Sequence, residues 1–439
     1  MKSVKINQKS ITNFELVFRA LQHRNYRLFF GGQSISLVGT WMQQIAMSWL
    51  VYRLTNSALL LGVVGFIGQI PSFLLTPLAG VIADRHNRHR ILVITQTLAM
   101  LQAFVLAFLV MSQRIQVWEI VVLSACLGLI SSVDIPVRHA FTVEMIEKRE
   151  DLGNAIALNS SMVNIARLIG PSVAGILIAV FGEGICFLLN AISYIAVIIS
   201  LLAMRITPRA RQISEKHFMQ DLKEGFVYAF NFAPIRSILI LLSLVSLMGV
   251  PYQILMPIFA RDIFHGGPRT LGFLMAMSGV GALMGAIYLA GRKSIVGLGK
   301  LIAIFSGVFG LGLITFSFSR NLWFSLIAIC VAGFAMMVQM AASNTILQTI
   351  VEEDKRGRVM SFYTMSFMGM APFGSLLAGT LAEKIGAPHT LMFGGIICIF
   401  GALAFAKKLP ALREKIRPIY MEKGIISDIL KNNFREKKG

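Results

Sequence analysis

Apolar residues in this chain are gathered into blocks of roughly twenty, separated by short polar or basic breaks. About twenty residues of helix cross a ~30 Å hydrocarbon layer. Such blocks fall near 28–52, 58–83, 91–111, 118–138, 152–180 and 184–204. After a polar stretch at 205–235, six more fall near 236–260, 271–291, 298–318, 322–342, 359–382 and 388–406. The pattern predicts an all-α membrane protein of twelve transmembrane helices in two six-helix halves, 28–204 and 236–406. Residues 1–27 read as an interfacial segment, in which Phe14, Leu16, Val17, Phe18, Leu21 and Tyr26 alternate with Arg19, Arg24 and Arg27. Residues 205–235 are the linker, and 407–439 a basic tail.

Composition agrees with this reading. The 439 residues are 56% hydrophobic and 14% charged, with mean hydropathy +0.71, against about 25% charged in soluble proteins. The net charge of +20 points to nucleic acid only if its carriers cluster, and they do not. Of the 41 Lys and Arg residues, 34 lie in the termini, the central linker and alternate loops, and 6 in the opposite loops. Basic loops stay inside, so both termini and the linker are expected in the cytoplasm of a bacterial inner membrane.

The halves repeat. A shift of 204 residues lays Gly153 on Gly357, Gly170 on Gly374 and Ala174-Gly175 on Ala378-Gly379. Two parallel repeats around a central cavity are a transporter layout, in which pseudo-symmetric halves rock about a bound molecule.

Polar groups within spans mark where that cavity is expected. Gln33, Thr40, Gln44 and Ser48 form one stripe on the first span. Ser160, Asn164 and Arg167 form another on the fifth, and Tyr252, Gln253, Gln339, Ser343 and Asn344 add polar groups from the second half. The substrate-binding candidates are therefore Gln33, Thr40, Gln44, Asn164, Arg167, Tyr252, Gln253, Gln339 and Asn344. A single Gln or Ser in a span also serves as a helix-to-helix hydrogen bond. No phosphate-binding loop, metal-ligand spacing or enzyme signature is present, so neither a cofactor nor a metal is expected, and an ion or substrate gradient is the expected driver. The four cysteines stand alone in separate spans.

Two motifs sharpen the picture. The loop Gly80–Arg90, GVIADRHNRHR, resembles the signature loop of the major facilitator superfamily, although its last positions read Arg88-His89-Arg90. By that resemblance Asp84, Arg85 and Arg88 latch the cytoplasmic gate. Physically, Asp84 suits a helix N-terminus, and the arginines suit acids or lipid phosphates. On the fifth span, Gly170-Pro171 with Gly175 resembles the antiporter motif of superfamily exporters, with Ala166 and Ala174 replacing glycines. Proline bends a helix and small residues admit a close neighbour. The passages WMQQIAMSWLVYRLTNSALLLG, DIPVRHAF and DKRGRVMS resemble the enterobactin-exporter and macrolide-efflux-like branch, the transmembrane secretion effectors. The resemblance implies an exporter of drug-like molecules or a siderophore, by alternating access and proton antiport. A lipid flippase is an alternative within the class; a transporter-like receptor would need a folded soluble module.

Asp134, Arg138 and Arg167 are the charges placed within spans rather than at their ends. Ionisable groups in lipid are costly and usually functional. Asp134 and Arg138 are four residues apart, so they can pair; Asp134 is the candidate proton-coupling acid, or else a structural partner steadying the helix end. Arg167 falls ~22 Å along its helix, near the bilayer centre. It is expected either to bond carbonyls freed by Pro171 or Pro372, or to receive an anionic substrate.

Overall fold

The computed structural model describes residues 18–206, 218–292, 294–353 and 355–426; within these, the side chains of residues 76–85, 149 and 218–223 lie outside the description. The described residues form helices and no strand. A 3₁₀ turn, Arg19–Gln22, precedes α1 (Arg24–Thr55), α2 (Ala58–Arg85), α3 (Arg88–Met111), α4 (Val117–Glu144), α5 (Leu152–Phe181) and α6 (Glu183–Leu202). A linker helix α7 (Phe218–Asn231) leads to the second set. That set is α8 (Ala233–Met248), α9 (Tyr252–Ile258), α10 (Pro268–Ala290), α11 (Leu298–Phe318), α12 (Leu322–Ile350), α13 (Arg356–Met368), α14 (Ala371–Ile385) and α15 (Ala387–Glu422).

Among the described residues, eleven helices are long and apolar enough to cross a membrane, taking α8 with α9, and α13 with α14, as single interrupted spans. Helix α1 is not among them. Its 32 residues exceed the length needed, but Gln33, Ser34, Ser36, Thr40, Gln43, Gln44 and Ser48 lower its hydropathy. It nevertheless packs between α5 and α6. The expected twelve spans thus become eleven apolar ones and a long, polar first helix.

Both interruptions have a covalent cause. Pro251 follows Gly249 between α8 and α9, and Pro372 follows Gly369 as the second residue of α14. Proline has no N–H to continue the ladder. The last helix runs to Glu422, beyond the predicted end at 406. Leu409, Leu412, Ile416, Ile419 and Tyr420 recur on one face and pack inward, while Lys407, Lys408, Arg413, Lys415 and Arg417 stay exposed. Lys423 Nζ then donates to the Thr349 carbonyl at 2.7 Å.

The two sets of helices meet chiefly through α2 against α14 and α5 against α10. Both crossings are made by glycines. A Cβ on Gly62 would lie 2.9 Å from the Gly379 Cα, and one on Gly175 would lie 3.0 Å from the Gly272 Cα. Small residues are the means by which helix backbones approach in lipid.

Candidate functional site: a cavity shared by both helix sets

A cavity of about 320 Å³ lies between the two sets, within the size range of small-molecule sites. Thr40, Gln44 and Ser48 of α1 line one wall, with Gln69 of α2 and Asn190 and Tyr194 of α6. Gln253 and Ile254 of α9, Met275 of α10 and Ser375 of α14 line the other. None of the lining side chains carries a formal charge. Behind the first wall runs a chain of amides. Asn190 Nδ2 donates to Gln43 Oε1 at 2.7 Å, Gln43 Nε2 to Gln102 Oε1 at 3.2 Å, and Gln102 Nε2 to the Leu123 carbonyl at 3.2 Å. Buried amides joined in this way fix one another's orientation, which leaves Gln44, Gln69 and Gln253 as the lining amides outside that chain.

Of the residues singled out in the sequence, Thr40, Gln44, Ser48 and Gln253 line this cavity. Tyr252 lies behind Gln253, its hydroxyl 2.5 Å from Ser278 Oγ and accepting from Gln253 Nε2 at 3.4 Å. Gln33 and Gln339 are buried between helices. The Gln33 Oε1 and both amide atoms of Gln339 lack hydrogen-bond partners among the described residues. Asn344 accepts from Gln348 at 2.5 Å, and Asn164 donates to the Ser160 carbonyl at 2.9 Å.

Arg167 stands apart from the cavity wall. Its guanidinium carbon is 5.2 Å from the centre of the Trp41 ring, a cation–π distance. Its Nε is buried without a hydrogen-bond partner, and no ion pair reaches it among the described residues. The carbonyls near Pro171 and Pro372 do not bond it; the carbonyl that Pro171 leaves without an N–H partner is that of Arg167 itself, and it faces Gly279 of α10. Gly170 admits α1, since a Cβ there would meet Trp41 Cβ at 2.4 Å.

Asp134 is buried and well partnered. It accepts from Thr95 Oγ1 at 2.7 Å and Gln96 Nε2 at 2.8 Å, and pairs with Arg138 Nη2 at 3.2 Å. Arg88 Nη1 donates to Glu144 Oε1 at 2.7 Å, tying α3 to α4. Asp84 and Arg85 end α2, and their side chains lie outside the described residues.

A cluster that the sequence did not bring forward closes the end of the bundle opposite the termini. Tyr52 donates to the Asp262 carboxylate across the two sets. Arg261 Nη1 donates to Asn56 Oδ1 at 2.6 Å. Glu383 of α14 accepts from the Leu59 backbone N–H at 2.9 Å and from Ser57 Oγ at 3.1 Å. A carboxylate from the second set thereby caps the N-terminus of α2, where it satisfies an orphan N–H and meets the positive end of the helix dipole. Sequence signals were faint: Asp262 and Glu383 sit at span ends, where charges are unremarkable, and their partners lie 210 and 324 residues away.

Comparison with known proteins gives a consistent answer. The profile of the transmembrane secretion effectors matches residues 17–433. The chain is 30% identical to the staphyloferrin A transporter of Staphylococcus aureus over 85% of this chain and 94% of that protein. It is 22% identical to macrolide efflux protein A of Streptococcus pyogenes over 86% of this chain and 96% of that protein. Its fold matches the crystal structure of a bacterial homologue of the iron transporter ferroportin in the inward-facing state. There the TM-score is 0.66 and the identity 16%, covering 89% of this chain and 98% of the other.

Proposed function

Since the chain belongs to the transmembrane secretion effectors, transporters of the major facilitator type, we propose that it is a secondary active exporter of a small organic molecule. The cargo is a drug-like compound or a siderophore, taken from the cytoplasm and released outside a bacterial inner membrane. The observation that carries this reading is the cavity walled by both helix sets, with glycine crossings and the Glu383 cap at the end opposite the termini. A cavity at the interface of two repeats is where alternating access needs its binding site. On the bias of Lys and Arg both termini lie inside, so this closed end faces outward.

In this reading residues 28–204 and 236–406 rock against each other, joined by the linker 205–235. Thr40, Gln44 and Gln253 contact the cargo. Asp84, Arg85 and Arg88 hold the cytoplasmic side when the outer end opens, with lipid phosphates as further partners of the arginines. Asp134, paired with Arg138, exchanges the proton that drives antiport. The relatives named for staphyloferrin A and for macrolides support either cargo class. Deleting the protein and measuring intracellular retention of siderophores and of dyes tests the reading. Raised retention of one class, reversed by the restored wild-type chain, is the expected result. Unchanged retention of every compound would contradict it.

A further inference from the structure

Helix α5 carries an exposed apolar stripe along its second half. Ile165, Ile169, Ile176 and Val180 are all exposed, and at 100° per residue they fall on one narrow stripe. Arg167 lies about 170° from that stripe on the same helical wheel. On one side of it α1 closes in at Gly170, and on the other α10 closes in, with Gly279 against the Arg167 and Leu168 backbone. Arg167 therefore projects into the wedge between α1 and α10, toward the middle of the bundle. There it meets the Trp41 face and has the Tyr252 phenol as its titratable neighbour.

The chemistry of that wedge is unbalanced. A guanidinium carries five donors, and a part-buried cation without a counter-charge is unfavourable. Here no acid and no carbonyl receives any of them among the described residues. The ring face of Trp41 recovers only part of this. The adjoining cavity is neutral throughout, and Gln253 joins it to the wedge through Tyr252.

We infer that Arg167 is an anion subsite, and that the cargo is an organic acid whose carboxylate pairs with this guanidinium while its uncharged body fills the amide-lined cavity. The inference rests on the transporter reading for its direction of movement, but the binding it requires does not depend on transport. Planar guanidinium and planar carboxylate match in bidentate geometry, which a lysine ammonium meets only as a point charge.

The test uses a matched pair of probes, naphthalene-2-carboxylate and naphthalene-2-carboxamide, on the detergent-solubilised full chain. The acid should raise the unfolding temperature of the wild type saturably, and the amide should not. R167K should keep part of the response. R167Q should weaken acid affinity roughly tenfold or more, as expected for a charge-assisted hydrogen bond. Equal responses to acid and amide in the wild type would overturn the inference, as would wild-type acid affinity in R167Q. If R167Q does not fold, the acid–amide comparison and R167K decide. Proteoliposome efflux separates the two claims. Wild type that exports ethidium but neither binds nor exports the acid is a transporter without an anion subsite. Wild type that binds the acid and moves nothing keeps the subsite and loses the transport reading.

Discussion

Glu383, near the C-terminus of α14, accepts the backbone N–H of Leu59 in the first turn of α2 at 2.9 Å, so one helix set supplies the cap for a helix of the other. Such a contact exists only while the two sets are together at that end. Glu383→Ala removes the cap, worth about 0.5–2 kcal/mol, and should shift the protein toward conformers open at that end. The check is the labelling rate of a cysteine at Leu61, on the cavity wall, by an impermeant maleimide applied from outside. Faster labelling in Glu383→Ala is expected; an unchanged rate would show that the cap is incidental.

The glycine crossing beside it makes a steric prediction. A Cβ on Gly62 would fall 2.6 Å from the Ser375 carbonyl oxygen and 2.9 Å from the Gly379 Cα, and both are backbone atoms that cannot swing aside. Gly62→Ala or Gly379→Ala should disfavour the closed end by about 1–3 kcal/mol, roughly a 5- to 150-fold change in its population. Export should fall in both variants while abundance in the membrane is maintained. Normal export by both would mean that the crossing need not close.

Much of the fold was legible in the sequence because lipid imposes a length and a hydropathy on nearly every span. The first helix escaped that rule because it gives its Gln and Ser residues to the cavity and the amide chain rather than to lipid. The helix beyond residue 406 escaped because hydropathy does not report a helix that packs only one apolar face. At the site, Thr40, Gln44 and Gln253 were readable as polar positions on spans, whereas Gln33 and Gln339 carry the same signal and are buried between helices. Residue type does not distinguish a helix-facing amide from a cavity-facing one. The Tyr52–Asp262 and Leu59–Glu383 contacts depend on how the two sets pack, which no local spacing encodes.

Asp134 separates coupling from structure. Asp134→Asn keeps the side-chain shape but leaves Arg138 without its carboxylate partner, a loss of about 1–3 kcal/mol. If the carboxyl carries the driving proton, export by Asp134→Asn should be low and flat with external pH, beyond what the fall in stability explains. Export that retains the wild-type pH profile would assign the pair to structure alone.

Acid should loosen the N-terminal turn. Asp151, just before α5, contacts Arg19 and lies 2.9 Å from His23 Nε2. The hydrogen bond from His23 holds its carboxyl below the ordinary aspartate value of 3.8, aided by the Arg19 charge and opposed by burial. A depressed carboxyl stabilises the fold fully above that ordinary value and ceases to do so as pH falls through its folded-state value. Thermal unfolding of the wild type should therefore lose stability below about pH 4, and Asp151→Asn should be less stable at neutral pH with a shallower acid limb. Parallel acid limbs would remove this contact from the account.

Alternating access requires the outer end to open, and Ser57 and Glu383 sit across it with Ser57 Oγ 3.1 Å from Glu383 Oε2. With Cys126, Cys186, Cys330 and Cys398 replaced by alanine, cysteines at positions 57 and 383 can be bridged by a short bifunctional thiosulfonate. Export of a compound retained by the deletion strain should fall to background on bridging and return when dithiothreitol cuts the bridge. Export that continues at full rate while the two helices are held together would contradict the rocking mechanism outright.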